Sequence, residues 1–524
     1  MVQESRNWRI SVRARVWIAA ALLLVAVVGV TVHLLIAHAT PYLHQRAEDM
    51  LSSRFHSQVE IDNLEVRLFP EVTLHGSGIV LRHHGRTDVP PLIIIQDFSA
   101  SAGLVSLFDN PWHIHRVQLK GLKITLPPRD QREKFQGFSG HKDVRVKIDE
   151  LVADDSLLTL LSSKPDKPPH EFAIHHLSMK NIAPGRPAAF IAQLTNAAPP
   201  GEIEAKGEFG PWQADDPRAT PVSASYTFRN ADLSVFKGIA GILSSDGKFG
   251  GPLENLQVEG ETTTPDFTVE AGGHPMMLKT EFSATVDGTN GDTLLHPVIA
   301  HFLSSKLICN GSIVRAANGK GHEILLDVSA DDAKVQDLLR LAVKNYQPLL
   351  TGVIDLHTKF DLPPGAGDVA DRLRLEGKFD IADARFTSSK VTEKIKDLSR
   401  HGEGHPDDPE AGDAVSQLQG QFGLKDTVLS FSRLRFSVQG AIVRLRGSYG
   451  LRGETLDFQG NLRMQAKPSQ MVTGFKSLLL KPFDSFFRKN GMTQFPIKVT
   501  GSRDHPSFGL NFGHKDDDSK NESH

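Results

Sequence analysis

From residue 55 onward, apolar and polar residues alternate with a period of two, in runs bounded by Gly, Pro, Asn and Asp. This is the pattern of strands that bury one face and wet the other. Ile354, Leu356, Thr358, Phe360 and Leu362 form one such series. In many runs a glycine falls in phase with the apolar residues. Examples are Ile203, Ala205, Gly207, Phe209; Leu307, Cys309, Gly311, Ile313; Leu373, Leu375, Gly377, Phe379; and Leu418, Gly420, Phe422. The same holds for Val443, Leu445, Gly447, Tyr449 and for Leu456, Phe458, Gly460, Leu462, Met464. A glycine inside a strand weakens packing and is kept where a sheet bends or where something approaches the backbone closely. Its repetition on one face predicts sustained curvature, and the irregular spacing excludes a fixed-period solenoid. With little helix to cover them, so many one-sided strands must close on themselves, face a second sheet, or leave an apolar trough for another molecule. The expected fold class is mainly β, a curved antiparallel sheet with a few short amphipathic helices. Leu373, Leu375, Phe379, Val443, Leu445, Leu456, Phe458 and Leu462 are the residues expected to line the trough.

Ahead of the strands, Arg6, Arg9, Arg13 and Arg15 precede residues 16–36, an apolar run without Asp, Glu, Lys or Arg. About 20 such residues cross a bilayer core, and a basic flank stays cytoplasmic. Val16, Trp17, Leu22, Leu23, Leu24, Val27, Val28, Leu34, Leu35 and Ile36 are therefore expected to form a transmembrane helix, with the bulk of the chain outside the cytoplasm. The competing reading is a cleaved signal ending at Ala37-His38-Ala39, whose apolar core would normally be only about 7–15 residues long. The net charge is −3, and no basic block follows the N-terminal flank, which argues against nucleic acid as a partner. Cys309 is the sole cysteine, so no intrachain disulfide forms.

Two amphipathic helices stand out. The first, just past the anchor, places Leu43, Ala47, Met50, Leu51 and Phe55 on one side. The second, over residues 471–489, places Met471, Phe475, Leu478, Leu479, Phe483, Phe486 and Phe487 on one stripe with basic edges, and is expected to lie over an end of the sheet. A shorter helix is expected over residues 333–343, with Val335, Leu338, Leu339 and Ala342 inward. Residues 162–169 and 401–412 read as surface loops. The expected division is a basic flank (1–15), the anchor (16–36), an N-terminal β region (37–163), a central groove region (164–419), a C-terminal β region (420–513) and a disordered tail (514–524).

Among the 23 histidines, His113-x-His115 would place two rings on one face of a strand, as a metal site requires. The sequence assigns no third ligand, and solvated histidines are the expected reading. No zincin, nucleophile-elbow or phosphate-loop motif is present, so the chain is read as non-enzymatic, without cofactor.

Residues 61–70, Ile-Asp-Asn-Leu-Glu-Val-Arg-Leu-Phe-Pro, followed by Val72-Thr73-Leu74-His75-Gly76-Ser77-Gly78-Ile79 and then Val117-Gln118-Leu119-Lys120-Gly121-Leu122-Lys123-Ile124, resemble the AsmA-like family of bacterial envelope proteins. Phe495-Pro496-Ile497-Lys498-Val499-Thr500-Gly501 and His505-Pro506-Ser507-Phe508 resemble its closing strands. The resemblance implies an elongated, taco-like β-groove related to TamB-type and chorein-type bridge proteins. It further implies an inner-membrane-anchored protein standing in the periplasm. Its expected role is carrying phospholipid acyl chains between the inner and outer membranes or supporting outer-membrane homeostasis. The alternative expectation is a periplasmic scaffold for envelope-protein partners, without lipid transfer.

Overall fold

A computed structural model describes residues 52, 59–67, 71–82, 90–103, 112–126, 146–161, 169–213, 216–316, 321–344, 347–365, 368–407, 416–471, 481, 484, 487–502 and 505–510. The chain forms two compact units, one of residues up to 198 with 202–222, the other of 199–201 with residues from 223 onward. Both are built mainly from β-strands, as the alternation predicts.

The strands of unit 1 include β1 (Asn63–Arg67), β2 (Val72–Leu81), β3 (Ile93–Ala102), β4 (Trp112–Lys120), β5 (Lys123–Leu126), β6 (Val146–Leu160), β7 (His170–Ile182) and β8 (Ala188–Ala197). Pairing is antiparallel for β1 with β2, β2 with β3, β3 with both β4 and β5, and along β6, β7 and β8. It is parallel where β4 and β5 meet β6. Val59, Ile61, Leu64 and Leu81 are buried together, with Leu74, Ile93 and Phe98 packed against them.

Unit 2 is an antiparallel meander in which each strand from β9 to β22 pairs with the next. After strands over Pro221–Asp232 and Ile239–Ala240 come β9 (Ile242–Pro252), β10 (Leu256–Val269), β11 (Met276–Val286), β12 (Thr293–Phe302), β13 (Ser305–Arg315) and β14 (His322–Lys334). After the helix α1 (Val335–Ala342) come β15 (Leu350–Leu362) and β16 (Arg374–Phe386). The helix α2 (Ser389–Glu403) precedes β17 (Ser416–Lys425), β18 (Val428–Val438), β19 (Ala441–Gly450), β20 (Thr455–Met464), β21 (Met492–Ser502) and β22 (Pro506–Leu510).

Two bulges shape the middle of this unit. The register shifts between Ala330 and Ala333 and again between Ile381 and Ala384, with Asp332 and Asp383 at positive φ. Aspartate tolerates this region better than most residues, and the Asp332 N–H donates to Asp355 Oδ1 at 2.9 Å. The extra residue returns Ala333 and Ala384 to the buried side, where each is 1 % exposed. Val335, the first residue of α1, joins them, and Leu338 and Leu339 of the same helix pack against the cluster. The Asp337 carboxylate ties the helix to the β12–β13 turn, accepting from the Ser304 N–H and from the Ser304 and Ser305 hydroxyls. This helix lies within the span expected from sequence.

Helix α2 was not expected. Its apolar residues Val391, Ile395 and Leu398 fall at i, i+4, i+7 among many charges, and Ile395 and Leu398 pack on Val438, Ala441, Met464 and Ala466. It ends at Gly404, whose φ of 86° supplies the left-handed cap. The expected loop at 401–412 therefore begins only after residue 403.

The sequence-based expectation of a helix running through 489 is corrected. Arg488–Lys489 form a short strand paired to Met492 and Thr493 around Asn490 and Gly491, both at positive φ. Asn-Gly is the residue pair that a two-residue hairpin turn demands, and here it outweighs the aromatic stripe upstream. Met471 is buried in the α2 cluster, and the Phe487 ring meets Phe495 with centroids 5.2 Å apart. Phe475, Leu478, Leu479, Phe483 and Phe486 lie outside the described residues, as do nearly all of residues 43–55.

The expectation of a single-pass inner-membrane protein is also corrected. Among the described residues, no helix is long and apolar enough to cross a membrane. Residues 16–36, where the span was expected, lie outside the described residues. The transmembrane helix, the inner-membrane localisation and partner, and the transport of phospholipid between two membranes that rested on them are withdrawn.

Candidate anion-binding site

The register of unit 2 sorts its side chains onto two faces. Directly opposed residues in an antiparallel pair share a face, so Phe379, Gly420, Leu434, Leu445 and Gly460 form one row across β16 to β20. Beside it runs Gly377, Phe422, Phe431, Gly447 and Phe458. Leu375 faces Leu424, Val443 faces Leu462, and Tyr449 faces Leu456. The structure thus brings seven of the eight expected trough residues onto one face. Leu373 is apart from them, in the turn that ends the Val369–Arg372 helix.

The rings on this face explain the in-phase glycines. A Cβ added to Gly420 would stand 2.5 Å from Phe379 Cε1, and one added to Gly377 would stand 2.9 Å from Phe422 Cζ. Each ring lies across the glycine of the neighbouring strand, a close approach that any side chain there would block. Phe379 and Phe422 pack at a centroid distance of 6.1 Å, Phe431 and Phe458 at 5.9 Å, and Phe458 is only 7 % exposed. The apolar face is covered in large part by its own aromatic side chains.

Open space lies against the other face. A cavity of about 970 Å³ is lined by the cations Lys378, Arg433, Arg435 and Arg444, by the carboxylates of Asp331, Asp355 and Asp380, and by Ser329, His357, Gln419 and Gln421, among others. One polar row runs Asp355, Asp380, Gln419, Arg435, Arg444, Asn461. Lys378, Gln421 and Arg433 are opposed in the next. Arg463 is two residues along β20 from Asn461, on the same face, and Arg446 is two residues along β19 from Arg444. Five arginines from three consecutive strands therefore share one patch, with Arg435 directly opposite Arg444.

Like charges placed directly opposite on a sheet repel, and ordinary proteins relieve such pairs with carboxylates. Here the carboxylates of the same row are engaged elsewhere. Asp380 accepts from Gln417 Nε2 at 3.0 Å and from Gln419 Nε2 at 2.7 Å, and Asp355 accepts from the Asp332 backbone. Among the described residues, none of Arg433, Arg435, Arg444 and Arg463 forms an ion pair with a carboxylate. The Nε atoms of Arg435 and Arg463 are shut off from solvent without a hydrogen-bond partner. Burial, and after it the charges of Arg463, Arg435 and Arg433, push the Arg444 guanidinium below its ordinary value. A second cavity of about 940 Å³ carries cations and carboxylates in equal number. It is lined by Lys359, Arg374 and Lys425 but also by Asp327, Asp361 and Glu376, and Arg374 pairs with Asp361 at 3.6 Å.

Guanidinium groups offer a planar fork of N–H donors that fits the oxygen edge of a phosphate or carboxylate. A patch with unspent donors, mutual repulsion and adjoining space is arranged to receive an anion with more than one charge. Sequence reasoning missed it, although Arg433-Leu434-Arg435 and Arg444-Leu445-Arg446 carry the signal. Each places two arginines on the face opposite the apolar one, and consecutive strands bring the pairs together. No basic block exists along the chain because pairing of strands, not linear sequence, assembles the charge.

Comparison with family models, with curated proteins and with solved structures finds no match for this chain.

Proposed function

We propose that the chain is a non-catalytic binding protein of AsmA-like build whose second unit captures a multiply charged oxyanion of the phosphate class between β16 and β20. The observation that carries this reading is the set of arginines that face one another without carboxylate partners. Two of them, Arg435 and Arg463, carry an Nε–H without a hydrogen-bond partner. Arginine stays protonated throughout the pH range of folded proteins, so it suits electrostatic capture rather than proton transfer. The cavity falls in the range of roughly 300–1,000 Å³ typical of small-ligand sites. The segments quoted at both ends of the chain support the AsmA-like part of the proposal.

Isothermal titration of the full chain with inorganic pyrophosphate tests it. A short-chain, water-soluble phosphatidate serves as a second titrant, so that a free oxyanion and a lipid headgroup are distinguished. The R435Q/R444Q double variant is expected to bind the preferred titrant at least about tenfold more weakly, or about 1.4 kcal/mol. Binding of neither titrant, or equal binding by the variant, overturns the reading.

A further inference from the structure

In unit 1 the parallel pairing of β4 with β6 sets His113 opposite Lys147 and Ile114 opposite Ile148, which brings His115 level with Asp149. By alternation His113, His115 and Asp149 share one face, the face that carries Val117, Leu119, Leu151 and Ala153 further along the same two strands. One potential ligand atom from each of the three lies within 4.8 Å of the others. His113 Nε2 and Asp149 Oδ2 are 2.8 Å apart, and the two histidine rings stand edge to face with centroids 5.1 Å apart. All three side chains are half-buried.

We propose that His113, His115 and Asp149 form a binding site for a divalent transition-metal ion of the zinc class, clasping β4 to β6. Two imidazole nitrogens and one carboxylate oxygen are a donor set that zinc accepts. In a tetrahedral site with metal–ligand bonds near 2.0 Å, the ligand atoms stand roughly 3.3 Å apart. Small side-chain rotations on two hydrogen-bonded strands reach that spacing, because two of the atoms are already closer than this and the third is within range. Three protein ligands leave one coordination position open to water or a further group. The apolar side chains beside the ligands hold back solvent, which strengthens the site. The third ligand that the sequence did not reveal comes from residue 149, joined to the His-x-His strand through parallel pairing across 34 positions of chain.

Lys147 competes with the ion. Its Nζ is 3.4 Å from Asp149 Oδ1 on the same face, so it occupies part of the carboxylate when the site is empty. This gives the proposal a test with opposite signs. The probe is Zn²⁺ titrated calorimetrically into the full chain, with Co²⁺ visible absorption reporting coordination geometry and circular dichroism reporting folding. The wild-type chain should bind one ion at this site. H115A and D149N should each weaken it at least about tenfold, while K147A should tighten it. The other histidines contribute the same background in every variant. Equal Zn²⁺ affinity and stoichiometry in wild type, H115A and D149N would overturn the site. So would an absence of Zn²⁺ binding by the folded wild-type chain, or no change in the Co²⁺ spectrum on removing His115. If H115A fails to fold, D149N with K147A carries the test, and unchanged affinity in both would equally overturn it.

Discussion

The two faces of the β16–β20 sheet carry the same alternation but solve opposite problems. On one, Phe379, Phe422 and Phe458 lie over or beside glycines of neighbouring strands and spend their area on each other. On the other, Arg435 faces Arg444, and the Asp380 carboxylate of the same row accepts from the amides of Gln417 and Gln419 rather than from an arginine. The first face is organised for stability. The second tolerates a repulsion that a neutral residue would remove, which is the mark of a site selected for something other than stability. The contrast teaches that in a one-sided sheet the apolar phase identifies the packing, and the opposite phase must be read separately for chemistry.

The largest expected effect breaks the first face. Phe458→Asp buries a carboxylate without a partner, and the variant is expected to lose cooperative unfolding altogether. Phe458→Ala, by removing a buried ring, should cost about 3–5 kcal/mol in denaturant melts. Both substitutions leave the arginines in place, so Phe458→Ala should keep pyrophosphate affinity in the fraction that remains folded. Full stability of Phe458→Asp would mean that the face is open to water.

Somewhat smaller is the effect of filling a glycine. Gly420→Val places a branched side chain where Phe379 Cε1 already stands within 2.5 Å of a Cβ. Overpacking of this kind costs about 1–3 kcal/mol. The loss should be partly restored by Phe379→Ala in the same chain, and a double-mutant cycle measures that coupling. Additive losses would show that ring and glycine act independently.

On the second face, pyrophosphate affinity should fall steeply between low and physiological salt, because exposed charges are screened over about 8–10 Å. The variant Asp380→Asn sharpens the assignment. Replacing the carboxylate of the row that lies nearer the arginines should tighten anion binding, whereas a site unrelated to this row would be indifferent.

The smallest effect reports solvation of the apolar face. Cys309 lies on it, opposite Val298 and Val328, and burial, with a lesser contribution from Asp327, pushes its thiol upward. A raised value means less thiolate at a given pH. Alkylation by iodoacetamide at pH 8 should therefore be slower in the folded chain than in urea, and the difference should narrow as pH rises. Equal rates would indicate a wet trough.

Much of the fold was legible because β structure writes itself in period two. The apolar series around Ile354, Leu375, Leu445 and Phe458 landed on one face as expected. The helix at Val335–Ala342 was legible from its stripe. What was not legible depended on pairing partners. The purpose of Gly420 is set by a ring 41 residues earlier, the arginine patch by the register of three strands, and Asp149 by a parallel pairing that no local pattern announces. Helix α2 was hidden because its apolar stripe is narrow and interrupted by Lys394, Lys396 and Asp397. The Asn490-Gly491 turn was overlooked beside a stronger aromatic signal, although its local chemistry decides the chain direction there.

If the proposed site is correct, an anion relieves the unfavourable surroundings of Arg444, and thermal unfolding of two proteins with and without pyrophosphate reads this out. Because burial, and after it the neighbouring charges, penalise the charged Arg444 in the folded state, neutralising it should stabilise the anion-free protein. R444Q should melt above wild type without pyrophosphate, and pyrophosphate should raise the melting temperature of wild type far more than that of R444Q. An R444Q protein that melts below wild type without the anion, together with equal pyrophosphate shifts in both proteins, would contradict it.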